Sequence, residues 1–458
     1  MLRIFIGLTH VYCVGLQYCI KADDNHMRVT LSRILFIATL VIAGEMVFGL
    51  PFHIARFFRP TMLDVFGFTN TQLGDIFAIY GITATLSFFP GGALADRFSA
   101  RKLLTLALMA TAAGGLYMST IPGAAQMAVL YGYFGVTTIF LLWGALIRST
   151  REWGGENSQG VAFGTLEGGR GLIAALVAGA GVFLLALTMP EDANLASDAE
   201  RRAALRSVIL LYSAVAFGAG LLAWFVVPES DAASLSKRNP FLGMLEVINR
   251  PLIWAQAAII VSAYCLFKGT DYYSLYAQQA FGVDEVEAAR WASYGAYLRV
   301  FAAFVAGYIA DRYTSGRTIL VAFALLAIAF SKLAFFTPGP FGTPIIFMNV
   351  VVTLCAVFAL RGIYFALLEE TRTPRHITGA AVGLVSVVGF TPDIFFAPIA
   401  GRILDASPGI EGHMHLFMLL AAIAATGIGV VLCLIRLQRN NSEPAPVSSS
   451  TGTVALGE

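Results

Sequence analysis

The sequence predicts an all-α integral membrane protein whose twelve transmembrane helices form two six-helix pseudo-repeats. Three observations carry this: a composition too apolar for water, twelve apolar spans separated by turn signals, and one charged loop that occurs twice.

Of 458 residues, 57% are hydrophobic and only 13% are charged, against roughly 25% charged in soluble domains. Mean hydropathy is +0.74. A larger soluble core would not remove that much charge, whereas lipid as the surrounding solvent does. The 45 glycines fit as well, because Gly is more frequent in membrane helices than in soluble ones. The net charge of +2 and the lack of a basic tract give no reason to expect a nucleic-acid partner. The five cysteines, Cys13, Cys19, Cys265, Cys355 and Cys433, lie in or beside apolar stretches with no metal-ligand spacing, and read as small hydrophobes. No phosphate-binding Gly-rich loop and no His-Glu-x-x-His pattern occurs. A nucleotide-driven pump and a metalloenzyme are thereby disfavoured. No catalytic residue, metal ligand or cofactor is expected.

A span needs about 20 mostly apolar residues. Segments at 32–58, 71–95, 102–121, 124–148, 157–188, 205–227, 250–280, 287–310, 317–336, 343–368, 376–404 and 413–437 satisfy this. Thr120-Ile-Pro-Gly123, Thr337-Pro-Gly-Pro340 and Ser407-Pro-Gly409 read as turns between them. The polar stretch 229–249 falls mid-chain. It divides a six-helix bundle at 27–228 from a second at 250–437 and reads as a cytoplasmic linker. Residues 438–458 have a disordered composition. Residues 3–20 resemble a signal peptide, but a polar break at 21–26 and then Met27 follow, so residues 1–26 are expected to be an extension, or the outcome of a misassigned start. With both termini in the cytoplasm, the inside loops collect most of the Lys and Arg. The loop at 189–204 is the ambiguous one, since Arg201 and Arg202 sit there among acids. An inner plasma membrane of bacterial type, with the lipid bilayer as partner and a monomeric protein, is the expected setting.

Two loops align. Gly92-Ala-Leu-Ala-Asp96-Arg97-Phe-Ser-Ala-Arg101 follows the second span. Gly307-Tyr-Ile-Ala-Asp311-Arg312-Tyr-Thr-Ser-Gly-Arg317 follows the eighth. Gly permits close helix approach, and Asp at a helix end can pair with Arg or with backbone N–H groups. Such clusters are expected to latch the inner face and release it as the halves separate. A purely topological anchor explains one copy, but two copies in equivalent places indicate an internal repeat.

This pattern resembles the major facilitator superfamily over essentially the whole chain after Met27. Phe98-Ser-Ala-Arg101-Lys-Leu is closer to its organophosphate:phosphate antiporter branch than to the commoner Gly-Arg-Arg/Lys form, and Gly379 to Gly389 resembles that branch's helix 11. The run Arg148-Ser-Thr-Arg-Glu-Trp-Gly-Gly155, with Gln159-Gly and Glu167-Gly-Gly-Arg-Gly171, resembles a YihN-like bacterial subgroup. The resemblance implies rocking of two halves about a central site, with cations supplied by helices 1, 5 and 7.

Ionisable groups inside the membrane are costly and are functional candidates by default. Glu45, Gly49, His53 and Arg56 share one face of helix 1, while Arg59 is expected to snorkel outward. Glu167 and Arg170 on helix 5, and Lys268 and Asp271 on helix 7, are spaced i, i+3, as self-neutralising pairs or as cavity groups. The resemblance implies His53, Arg56, Arg170 and Lys268 as substrate contacts, and the aromatic wall and the buried charges of helices 7 and 8 add Tyr272 and Arg299 to the candidates. Glu45, Glu167, Asp271 and Asp393 are candidate proton carriers, and Gly92, Asp96, Arg97, Arg101, Gly307, Asp311, Arg312 and Arg317 candidate gating residues. Arg299 and Arg361 rank second, as groups expected to have structural partners. The expected function is secondary transport of a small organic anion of sugar phosphate, sulfonate or carboxylate type, with a proton or an inorganic anion as coupling species. Proton-coupled transport of neutral sugars or drug-like compounds, and a ligand-sensing receptor, are the alternatives.

Overall fold

The computed structural model describes residues 32–155, 159–229, 244–339, 342–364, 367 and 378–442. The expected N-terminal extension and most of the central linker lie outside these. Twelve helices follow one another. They are α1 (Ser32–Met46, continued by Gly49–Phe57 and Arg59–Phe66), α2 (Asn70–Ala95), α3 (Ala100–Met118), α4 (Ala124–Gly154), α5 (Gln159–Thr188) and α6 (Asp198–Val226) in the first half. The second half has α7 (Pro251–Phe281), α8 (Glu285–Tyr313), α9 (Ser315–Phe335), α10 (Gly342–Ile363), α11 (Thr378–Gly389 and Pro392–Ala406) and α12 (Ile410–Ser442). The last helix runs into the segment whose composition suggests disorder. The shortest, α3, has 19 residues, about 28 Å at 1.5 Å per residue and close to the hydrocarbon thickness. By length and composition alone, eight of the described helices can cross a membrane, or nine with the bent α1. α2, α3 and α8 complete the twelve.

The repeat shows in the packing. α2 packs on α4, and α3 on α6; likewise α8 packs on α10, and α9 on α12. The halves meet along α2 with α11 and along its counterpart, α5 with α8. One apolar core belongs to the second half, running from Val247 to Leu434. A second, in the first half, takes in Val286, Ala289, Ala296 and Ala397 from the other half. A third, around Leu40, Leu104 and Leu146, stays within the first half.

The core that spans both halves lies toward the face opposite the chain ends, here the far face. There α1 ends and α2 begins. α2 and α11 touch backbone to backbone: a Cβ on Gly74 would sit 2.4 Å from the Ala397 carbonyl oxygen, and one on Gly401 would sit 2.3 Å from the Asn70 oxygen. Asp405 accepts from the backbone N–H of Asn70 at 3.1 Å and of Thr71 at 2.7 Å, so it caps the start of α2 from the other half. Arg402 pairs with Asp75 at 2.8 Å, and Arg201 with Glu285 at 2.9 Å. The far face is therefore closed. The cross-half pairs just described lie at the far face, away from the near face where the chain ends lie.

Four helices depart from regular α geometry. α1 bends by 43° where Met46 gives way to Gly49, and the following turn, Gly49–His53, has π geometry around Pro51. Pro51 has no N–H to give to the preceding turn. α4 has a second π stretch at Val136–Trp143. α7 tightens to 3-10 geometry at Thr270–Tyr272, and α11 is interrupted at Phe390 and Thr391 ahead of Pro392. α1 and α7 hold equivalent places in the two halves. Paired interruptions at mid-membrane depth are where transporters of this build place their sites.

Candidate functional site

His53, Lys268, Asp271 and Asp393 lie in or next to these interruptions, and their side chains converge with those of α5, α8 and α10. Glu45 is the hub. It accepts from Arg170 Nε at 2.9 Å, from Arg299 Nη1 at 3.2 Å and from His53 Nε2 at 3.2 Å. Glu167 accepts from Arg170 Nη1 at 2.5 Å and Arg299 Nη2 at 3.1 Å. Arg299 thus ties α8 to both α1 and α5 of the opposite half. A second group sits beside it. Arg56 Nε donates to Asp271 at 2.5 Å, and Lys268 Nζ lies 3.3 Å from both Asp271 and Asp393. Tyr264 donates its hydroxyl to Asp393 at 3.0 Å. Removing one member of such a buried set costs about 3–5 kcal/mol, because its partner is left charged and unpaired.

The i, i+3 pairs that spacing predicts therefore form, but each carboxylate also reaches another helix. On α1, Glu45 turns toward α5 and α8, and Arg56 toward α7. Arg59 does not snorkel. It is fully buried, lies over the Tyr272 ring at 4.1 Å and donates to Asn70 Oδ1 at 3.2 Å. The reason is that the chain turns inward at Phe58, which carries Arg59 into the far-face seal. Tyr272 belongs to the same seal. It is buried beneath Arg59 and lines neither cavity described below, whereas Tyr264 lines the central one.

The central cavity, about 90 Å³, lies between α1, α2, α4, α7 and α11 and is lined by Arg56, Arg170, Lys268, Arg299 and Arg361 among aromatic rings. The structural partner expected for Arg361 is not found. No carboxylate lies within ion-pair distance of it among the described residues, and its Nε is buried with no hydrogen-bond partner. Its guanidinium rests on the Phe267 ring at 4.1 Å, with Arg56 over the same ring at 4.7 Å. Spacing holds no hint of this, since Arg361 has no charged neighbour at i±3 or i±4. A larger cavity, about 380 Å³, opens between α7, α8 and α10, lined by aromatic residues such as Tyr273, Trp291 and Phe347. Arg56 and Arg299 line both.

The repeated loops stand apart from the closed face. Asp96, Arg97, Arg312 and Arg317 are exposed, and the Asp311 side chain lies outside the described residues. Arg101 donates to the Val227 carbonyl at 2.6 Å, and Arg148 to the carbonyls of Ala95 and Phe98. The first copy thus braces α2, α3, α4 and α6 within one half. A Cβ on Gly92 or Gly307 would meet nothing within 4 Å. The close helix approach expected at these glycines is not found here. Of the helix 5 glycines, Gly171 lies against Arg299, with a Cβ 3.1 Å from Cδ, while Gly164 faces open space.

Two like halves, sealed to each other on one face and joined at mid-depth around a charged cavity, have the build of a membrane transporter. The chain belongs to the Major Facilitator Superfamily, whose family model matches residues 35–391. It is 27% identical over 433 residues to the inner membrane protein YqcE of Escherichia coli K12, covering 92% of this chain and 98% of that one. It is 25% identical over 407 residues to the inner membrane protein YihN of the same organism, covering 87% and 94%. A crystal structure of the nucleoside transporter NupG superimposes with a TM-score of 0.68 at 13% identity, over 88% of this chain and 99% of that one. At that identity the likeness speaks to the fold alone.

Proposed function

We propose that the protein is a secondary transporter of a small organic anion, of sugar phosphate, sulfonate or carboxylate type, residing in an inner membrane with both termini on the cytoplasmic side. The observation that carries this is the set of cations brought to one cavity by both halves: Arg56 and Arg170 from one, Lys268, Arg299 and Arg361 from the other. An anion there would compete with Glu45, Glu167 and Asp271 for those cations. Its binding and release would then change which half holds which group, and this couples occupancy to the rocking of the halves. On this reading the structure is an inward-open state. Asp96 and Asp311 would latch the near face only in the opposite state, and Gly92 and Gly307 would become close-packed there. Glu45, Glu167, Asp271 and Asp393 remain the candidate proton carriers.

Purified protein in liposomes is expected to take up organic anions without any partner protein, and Arg170→Ala is expected to abolish that uptake while the protein stays folded. Uptake confined to neutral or cationic compounds would remove the anion reading. Absence of uptake with retained ligand binding would favour a sensor.

A further inference from the structure

We propose that the central cavity is built for a ligand with one negative charge, and that Arg361 on α10 is the group that anchors it. This rests on the organic-anion reading above and narrows it to monoanions, such as carboxylates and sulfonates, as against doubly charged phosphate esters and sulfate.

The argument is charge balance in a site sealed from water on one face. Arg56, Arg170, Lys268, Arg299 and Arg361 meet there, and every one of them except Arg361 touches a carboxylate within 3.3 Å. The carboxylates are Glu45, Glu167, Asp271 and Asp393, so five cations stand against four anions. His53 adds no charge. Its Nε2 faces Glu45, while its buried Nδ1 has no partner to accept a second proton's hydrogen bond. Another buried cation, Arg59, is occupied with Asn70 and the Tyr272 ring at the far seal. Among the described residues one positive charge is left over, and it resides on Arg361, which no described carboxylate reaches within ion-pair distance. Phe267 beneath it supplies a ring face, which steadies a cation without neutralising it. An uncompensated charge at this depth is costly, and one negative charge on the ligand removes that cost. A second negative charge would leave the filled site with an excess of anion facing Asp271, Glu45 and Asp393. The planar guanidinium also suits two oxygens of a carboxylate or sulfonate in a fork.

A series of tetrahedral sulfur compounds tests charge at nearly constant shape: dimethyl sulfone carries none, methanesulfonate one, sulfate two. The full chain in detergent would be titrated with each over a choline chloride background of fixed ionic strength, and its unfolding midpoint followed, since a ligand that binds the folded state raises it with concentration. Methanesulfonate is expected to stabilise with at least tenfold higher apparent affinity than sulfate, and dimethyl sulfone not at all. Arg361→Gln brings the set to neutrality and is expected to lose at least tenfold in methanesulfonate affinity. Glu167→Gln leaves two spare positive charges and is expected to invert the order, so that sulfate binds better. Sulfate equal to or better than methanesulfonate in the unaltered chain would overturn the proposal, as would no stabilisation by methanesulfonate, or an order unmoved by both variants. Anion uptake in liposomes that ignores ligand charge would leave the transporter reading standing and remove only the monoanion assignment.

Discussion

The seam between α2 and α11 gives the sharpest test of which face is closed and why. A Cβ on Gly74 would lie 2.4 Å from the Ala397 oxygen and 2.8 Å from its carbonyl carbon. Ordinary contact lies near 3.5 Å, so Gly74→Ala requires about 1 Å of retreat between the two helices. The obstruction is backbone, which no rotamer change relieves. Overpacking of this kind costs about 1–3 kcal/mol, and the cost falls only on the state in which the far face is closed. The population of that state relative to the far-open one should therefore drop about 5- to 150-fold. Spin labels at Ala125 and Thr337, exposed positions at the far ends of opposite halves, would report the distance across that face in a background free of native cysteines. Gly74→Ala is expected to transfer amplitude to a longer distance. Gly92→Ala serves as the control, since a methyl group there meets nothing in this state; it should keep the shorter distance. A folded Gly74→Ala protein with an unchanged distance distribution would refute the argument that backbone contact at this seam holds the far face shut.

Further perturbations have expected results. Asp405→Ala strips the cap from Asn70 and Thr71 at the start of α2 and should destabilise the far-closed state by about 0.5–2 kcal/mol, seen as partial lengthening of the same label distance and a lower unfolding midpoint. Arg299→Ala leaves Glu45 and Glu167 short of a shared partner and should lower stability by about 3–5 kcal/mol and abolish uptake in liposomes; Arg299→Lys, a point charge unable to span both carboxylates, should recover stability better than transport. Glu45→Gln offers one acceptor oxygen where three donors converge, and should slow uptake at every pH; a variant that merely shifted the pH profile at full rate would instead assign Glu45 to proton carriage alone. Tyr272→Phe should leave substrate affinity unchanged, because the ring lies beneath Arg59 rather than in the cavity; a tenfold loss of affinity would restore Tyr272 to the substrate contacts.

Much of the site is legible in the sequence. Glu45, His53 and Arg56 share a helix face by spacing alone, and a charged group in an apolar span must find a partner or a ligand wherever the helix sits. Hence Arg170, Lys268, Asp271, Arg299 and Asp393 stand out, and each joins the central network or lines its cavity. Their partners are not legible in the same way. Arg299 meets Glu45 across 254 residues, and Arg56 meets Asp271 across 215. Within a helix only i±3 and i±4 neighbours are set by sequence, and those account for the pairs that spacing predicts. Arg361 falls outside that window, and its lack of a carboxylate partner emerges only when every other cation near it has been matched. Arg59 and Tyr272 escape periodicity for a related reason, because it assumes a straight α1 and α7 and both are interrupted close to these residues.

Solvent, helix count and the twofold repeat follow from the chain's own residues, because hydrophobicity over about 20 residues and a duplicated Asp-Arg loop are local properties that survive any packing. Which face is shut follows only from the packed helices, since it depends on Gly74, Gly401 and Asp405 meeting backbone from the other half, a matter of distance rather than of residue type. The sign of the cavity has the same origin. Composition across the spans shows cations and anions together, and only their pairing in space leaves one positive charge over.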